Sequence, residues 1–118
     1  MAIEITGLNT DSGLEFCDED MDTYLRFLNL YISDMPEVLD KMRVVSQETL
    51  FDYAISAHSI KGNSRTIGAQ EASKTAMQLE KKAKSGDLAG VLSQNDAFIE
   101  SIENLITNIK NWLEKNKG

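Results

Sequence analysis

One proline in 118 residues leaves this chain little to interrupt a helix from within. Proline removes a backbone donor and clashes with the preceding turn, so its scarcity favours helix wherever apolar residues repeat at the helical period. Here they do. Met21, Tyr24, Leu25, Leu28, Ile32 and Met35 fall at steps of three and four, and the series continues through Val38 or Leu39, Met42 and Val45. One apolar stripe therefore runs from about residue 20 to 45, with Asp18 or Asp20 placed to cap its start. Pro36 interrupts the stripe without changing its phase. Asp34-Met-Pro-Glu37 is also a capping-box-like start, so the expectation is either one kinked helix or two helices nearly in line.

The next helix is predicted to begin after Ser46 and run to about Thr66, with Gly68 as its stop. Its inward face holds Leu50, Tyr53, Ala54, Ala57, Ile60 and Ile67. A further helix, roughly 70 to 84, carries Ala72, Ala76, Leu79 and Ala83 and stops at Ser85-Gly86. Asp87 caps the last one, whose stripe runs through Leu88, Val91, Leu92, Phe98, Ile99, Ile102, Leu105 or Ile106, Ile109 and Leu113. Only Ala2 to Thr6 alternates like a strand, and that is too short to build a sheet. Short loops favour antiparallel neighbours. The reading is an all-α chain forming an up-and-down antiparallel four-helix bundle. A short N-terminal turn around Ser12 to Phe16 packs across it, and residues 1–118 make a single domain.

Charge and cysteine content narrow the function. Nineteen acidic against twelve basic side chains give a formal charge of −7, the wrong sign for nucleic acid or an anionic membrane surface. The lone Cys17 excludes an internal disulfide. The opening Met-Ala-Ile-Glu-Ile-Thr has no charged stretch followed by an apolar one, and no apolar run approaches the roughly 20 residues of a membrane span. A cytoplasmic location is expected. No Gly-rich phosphate loop follows a strand, so kinase or ATP-binding activity has no support. One histidine and one cysteine, far apart in the chain, give no metal-ligand spacing; no metal and no cofactor are expected.

His58 is the remaining candidate for chemistry. A lone histidine in a helical protein is more often structural or merely exposed than chemical, but its neighbours change the reading. At 100° per residue, Lys61 lies about 60° to one side of His58 and Gly62 about 40° to the other. Arg65 lies about 20° away, two turns along. One helix face thus carries His58, Lys61, Gly62 and Arg65, pointing away from Ile60 and Ile67. A phosphoryl group on the imidazole gives each a use. His58 supplies a nitrogen nucleophile, and Lys61 and Arg65 supply positive charge. Gly62, which costs about 1 kcal/mol relative to alanine inside a helix, leaves room for another protein's active site. Ordinary solvated charge is the competing reading of Lys61 and Arg65, and helix packing that of Gly62. Ser64 points inward, toward a backbone carbonyl or a neighbouring helix.

Ala57-His58-Ser59-Ile60-Lys61-Gly62-Asn63-Ser64-Arg65-Thr66-Ile67-Gly68-Ala69 resembles the signature of histidine-containing phosphotransfer (HPt) domains, His-x-Leu-Lys-Gly-x-Ser-x-x-x-Gly-Ala, with Ile60 in place of leucine. The segments Gly13-Leu14-Glu-Phe16, Asp20 to Leu25, Tyr31 to Leu39, Leu79-Glu80 and Ser85 to Leu88 are similar to other parts of the family. The resemblance implies a four-helix bundle that accepts a phosphoryl group on His58 and exchanges it with the aspartate of a response-regulator receiver domain. A hybrid sensor histidine kinase is the other implied partner. It implies that Lys61 stabilises phosphate charge, that Gly62 gives the receiver access and that Gly68 and Ala69 shape the helix end. It implies a phosphocarrier and no enzyme, the Mg²⁺ site belonging to the receiver.

Docking is expected on an apolar patch beside the histidine. Phe51 and Ile55 share its face, and Phe27, Leu30 and Tyr31 lie off the main stripe of the first long helix. These five are the candidate receiver contacts, with peripheral core as the competing expectation for at least two. The alternative function is a helical module that docks a receiver or sensor kinase without carrying phosphate.

Overall fold

A computed structural model describes residues 4–116, and over them the chain forms helices and no strand. The elements are α1 (Thr10–Phe16), α2 (Met21–Met42), α3 (Leu50–Thr66), α4 (Gln70–Lys84) and α5 (Leu88–Lys115), with a 3-10 turn at Gln47–Thr49 leading into α3. The all-α class and helical bundle expected from the apolar periodicity are borne out. The alternation at Ala2 to Thr6 lies partly outside the described residues, and residues 4–6 form no strand.

Local sequence explains the boundaries. Asn9, Asp20 and Asp87 cap α1, α2 and α5 by accepting hydrogen bonds from the amides of Ser12, Asp22 and Gly90. Of the two cap candidates for α2, Asp20 takes the role and also accepts from Thr23 Oγ1 at 2.7 Å. α2 runs unbroken through Pro36, so one helix forms and not two. Pro36 is exposed, and its missing amide disturbs only the solvent side. The core side of the same turn keeps Tyr31, Met35 and Leu39 in phase. α3 ends at Gly68, whose φ of +84° suits glycine. The amides of Gly68 and Ala69 bond the carbonyls of Arg65 and Ser64, closing the helix with paired bonds.

The four long helices enclose one core, α3 touching α2 and α4, and α5 touching α4 and α2. Tyr24 Oη donates to the Ile67 carbonyl at 2.9 Å, and Tyr31 Oη lies 2.8 Å from Ser64 Oγ. These two rungs run in opposite senses along the chain, so α2 and α3 are antiparallel. Across α3 and α4 the rungs are Lys61 carbonyl to Ser73 Oγ and His58 to Glu80, again antiparallel. Inside lie Leu28, Met35, Leu39, Ile60, Leu79, Ile102 and Ile109, each essentially inaccessible to water. Burying such side chains stabilises the fold by roughly 1.5–3 kcal/mol apiece.

Three stripe positions are corrected. Met21 and Leu92, read as inward, are 37% and 52% exposed. Met21 is the first residue of α2, and Leu92 stands about 100° off the line through Val91, Asn95, Phe98 and Ile102. Asn95 is buried, accepting from Tyr53 Oη at 2.9 Å and donating to the Met42 carbonyl at 2.7 Å. Tyr31, read as off the stripe, is 2% exposed. It stands three residues after Leu28 and four before Met35, squarely on the core line.

The N-terminal segment packs as expected, against α2 and α3. The Asn9 amide donates to the Gly68 carbonyl at 2.8 Å, which ties the start of α1 to the α3–α4 turn.

Candidate functional site

Ala57 and Ile60 turn into the core, and the geometry of a helix then sends His58 outward. Its side chain is 65% exposed. It has a partner all the same: Nδ1 stands 2.9 Å from Oε2 of Glu80 on α4. Lys61, one turn further along α3, donates from Nζ to Oε1 of the same carboxylate at 2.9 Å. Lys84, one turn along α4, reaches Oε2 at 3.0 Å. One buried carboxylate therefore gathers an imidazole and two ammonium groups.

Glu80 sits on the apolar line of α4, beside Ala76, Leu79 and Ala83, and is 4% exposed. Its burial favours the neutral acid and pushes the pKa up. Hydrogen bonds from Lys61, Lys84 and His58 outweigh that, and the carboxyl is held down at about 2. An ionised carboxylate only accepts, so the Nδ1 facing it carries a proton. In the neutral ring Nε2 then keeps the free lone pair.

Gly62 leaves the neighbourhood of the ring open. A methyl group built at its Cα would meet nothing within 4 Å. Beside it lies an open groove of about 700 Å³, lined by Lys61, Gly62 and Arg65 of α3, Phe16 of α1, and Lys74 and Met77 of α4. Lys61 and Arg65 thus share a groove wall, but only Lys61 is in the Glu80 cluster. Ser64 is fully buried on the opposite side of α3, bonded to Tyr31 of the neighbouring helix.

The five docking candidates separate. Phe51, Ile55 and Leu30 are 74%, 56% and 47% exposed. Phe27 is half-buried against the core, and Tyr31 belongs to it outright, its hydroxyl spent on Ser64. Tyr31 is therefore no surface contact.

Glu80 is the residue that sequence reasoning passed over as part of a helix end. The signal was present: an acid at a stripe position, four residues after Ala76 and three before Ala83, demands a buried partner.

Compared with models of known protein families, residues 26–112 match the Hpt domain. The chain belongs to the Hpt family. Neither the curated proteins nor the solved structures searched contain a match. Hpt domains serve histidine phosphotransfer in two-component relays, as phosphocarrier modules. Among the described residues of this Hpt domain no helix is long and apolar enough to cross a membrane, and no three or more His, Cys, Asp or Glu side chains are grouped to hold a metal ion.

Proposed function

We propose that this Hpt domain accepts a phosphoryl group on Nε2 of His58 and exchanges it with the aspartate of a response-regulator receiver domain, which a hybrid sensor histidine kinase can also supply. The observation that carries the reading is the 2.9 Å contact between Nδ1 and the buried, ionised Glu80, on a ring whose other edge faces solvent.

The step balances simply. The Nε2 lone pair attacks the phosphorus of the receiver's aspartyl phosphate. The N–P bond forms as the O–P bond breaks, and the aspartate leaves as a carboxylate. Because Nδ1 keeps its proton, the ring acquires positive charge as the bond forms. Glu80 faces that charge from a fixed, water-poor position, so the site needs no rearrangement when the charge appears. The reverse transfer uses the same groups in the opposite order. Lys61 stands one turn from His58, its ammonium on the other oxygen of the same Glu80 carboxylate, and is the nearer candidate for offsetting phosphoryl charge. Arg65 is the outer candidate for that role. Gly62 gives the receiver's active site its approach, and Phe51, Ile55 and Leu30 are the docking candidates that stay exposed. The chain itself is a carrier and not an enzyme: phosphoryl transfer asks for position and charge compensation, and the receiver assembles the rest with its Mg²⁺.

The test is incubation with a phosphorylated receiver domain and, separately, with phosphoramidate, comparing wild type with His58→Gln. Acid-labile, base-stable label on wild type alone is expected. Equal label on His58→Gln, or none on wild type from either donor, refutes the carrier reading and favours a non-phosphorylated docking module.

A further inference from the structure

The cations of this chain are not spread evenly. α3 and α4 together hold Lys61, Arg65, Lys74, Lys81, Lys82 and Lys84 against Asp52, Glu71 and Glu80, a net +3, whereas the remainder of the chain carries −10. The α1–α3–α4 groove lies in this basic sector and opens beside Gly62, next to the phosphoacceptor helix face. Lys61 is committed to Glu80. Among the described residues, Arg65 and Lys74 meet no carboxylate at ion-pair distance. The same groove exposes Phe16 and Met77, 52% and 38% accessible. Aromatic and methionine side chains flanked by positive charge are the composition of an interface centre with its rim.

We propose that this groove is the docking subsite for the acidic rim of a receiver's phosphoacceptor pocket, with Lys74 of α4 as its outer anchor and Phe16 and Met77 as its apolar floor. The inference rests on the phosphocarrier reading above and adds the side from which the partner comes. Charge complementarity selects the occupant. A domain that holds Mg²⁺ for phosphoryl transfer does so with carboxylates, and those carboxylates are attracted to a basic sector of an otherwise acidic chain. Glu15 lines the same groove on the α1 side. It repels an acidic partner there and so confines the partner's carboxylates to the Lys74–Arg65 side. The groove beside Ile55 has no such bias, since one cation, Lys41, and one carboxylate, Asp52, line it.

The experiment measures transfer from the phosphorylated receiver that, among those of the same genome, exchanges fastest with wild type, at several salt concentrations. Lys74→Glu is expected to raise KM about tenfold with kcat within twofold, and to flatten the salt dependence, as for a rim charge that steers association. Phe16→Ala with Met77→Ala is expected to raise KM by a similar factor. Lys110→Glu, on α5, is the control and is expected to leave KM unchanged. A KM for Lys74→Glu no different from that of the control overturns the proposal. So does a KM rise confined to Phe51→Ala and Ile55→Ala, which places the receiver on the other side of His58. Phosphoramidate labelling separates the two levels: if His58 takes label in every variant, a failed KM prediction condemns the groove alone. If wild type takes none, the carrier reading fails and this inference with it.

Discussion

Replacing Gly62 should make the protein more stable and worse at its task. The helical backbone at Gly62 carries no side chain, and an added Cβ meets nothing within 4 Å. Gly62→Ala therefore gains the full difference in helix propensity, about 1 kcal/mol, with no steric penalty to set against it. For 118 residues the unfolding entropy is about 0.25 kcal/mol/K, so Tm rises by about 4 °C. Gly62→Gln gains somewhat less but extends a long side chain over the face that carries His58. The expected result is a KM for the phosphorylated receiver raised at least tenfold, about 1.4 kcal/mol of lost association, with phosphoramidate labelling untouched because a small donor needs no docking surface. Calorimetry and single-turnover transfer give the two readouts on the same samples. A Gly62→Ala protein less stable than wild type would refute the open-space argument. Wild-type transfer by Gly62→Gln would refute the claim that a partner closes over this residue.

Other outcomes follow from the Glu80 cluster and the core. Glu80→Gln keeps the shape of the side chain but loses its charge, and transfer to His58 should slow about tenfold, the worth of a charge-assisted hydrogen bond; an unchanged rate removes Glu80 from the mechanism. Because folding lowers the Glu80 pKa from 4.5 to about 2, the stability it confers is complete above about pH 5 and is lost as the pH falls toward 2. The loss is on the order of 3 kcal/mol, and urea titrations over that window should show it in wild type and not in Glu80→Gln. Tyr31→Phe strands the buried Ser64 hydroxyl and should cost about 1–2 kcal/mol with transfer kinetics unchanged; slowed transfer at full stability would return Tyr31 to the docking surface.

Much of this architecture was legible because burial and periodicity are the same fact seen twice. The stripes through Tyr24, Leu28, Met35 and Met42 and through Val91, Phe98, Ile102 and Ile109 repeat at the helical step, and each of these residues is buried. Caps at Asp20 and Asp87 and the stop at Gly68 follow from local chemistry and needed no tertiary information. What escaped was polar burial. Tyr31, Asn95 and Glu80 all lie on inward lines, yet the apolar pattern sets Tyr31 off the main stripe, passes over Asn95 and takes Glu80 only as part of a helix end. Each is satisfied by a group more than twenty positions away: Ser64, Tyr53 with Met42, and His58. One-dimensional pattern cannot supply such a partner. The His58–Lys61–Gly62 face was visible by angle alone, whereas the carboxylate that fixes the ring arrives from another helix.

The most direct test of the central claim is NMR of the ¹⁵N-histidine-labelled protein before and after phosphorylation by a receiver domain. With a single histidine in the chain, the spectrum has one ring to report. Before transfer, Nδ1 should carry the proton and Nε2 the lone pair. Afterwards the phosphorus should couple to Nε2 while Nδ1 stays protonated against Glu80. Phosphorus on Nδ1, or a resting ring with its proton on Nε2, would contradict the geometry on which the mechanism stands.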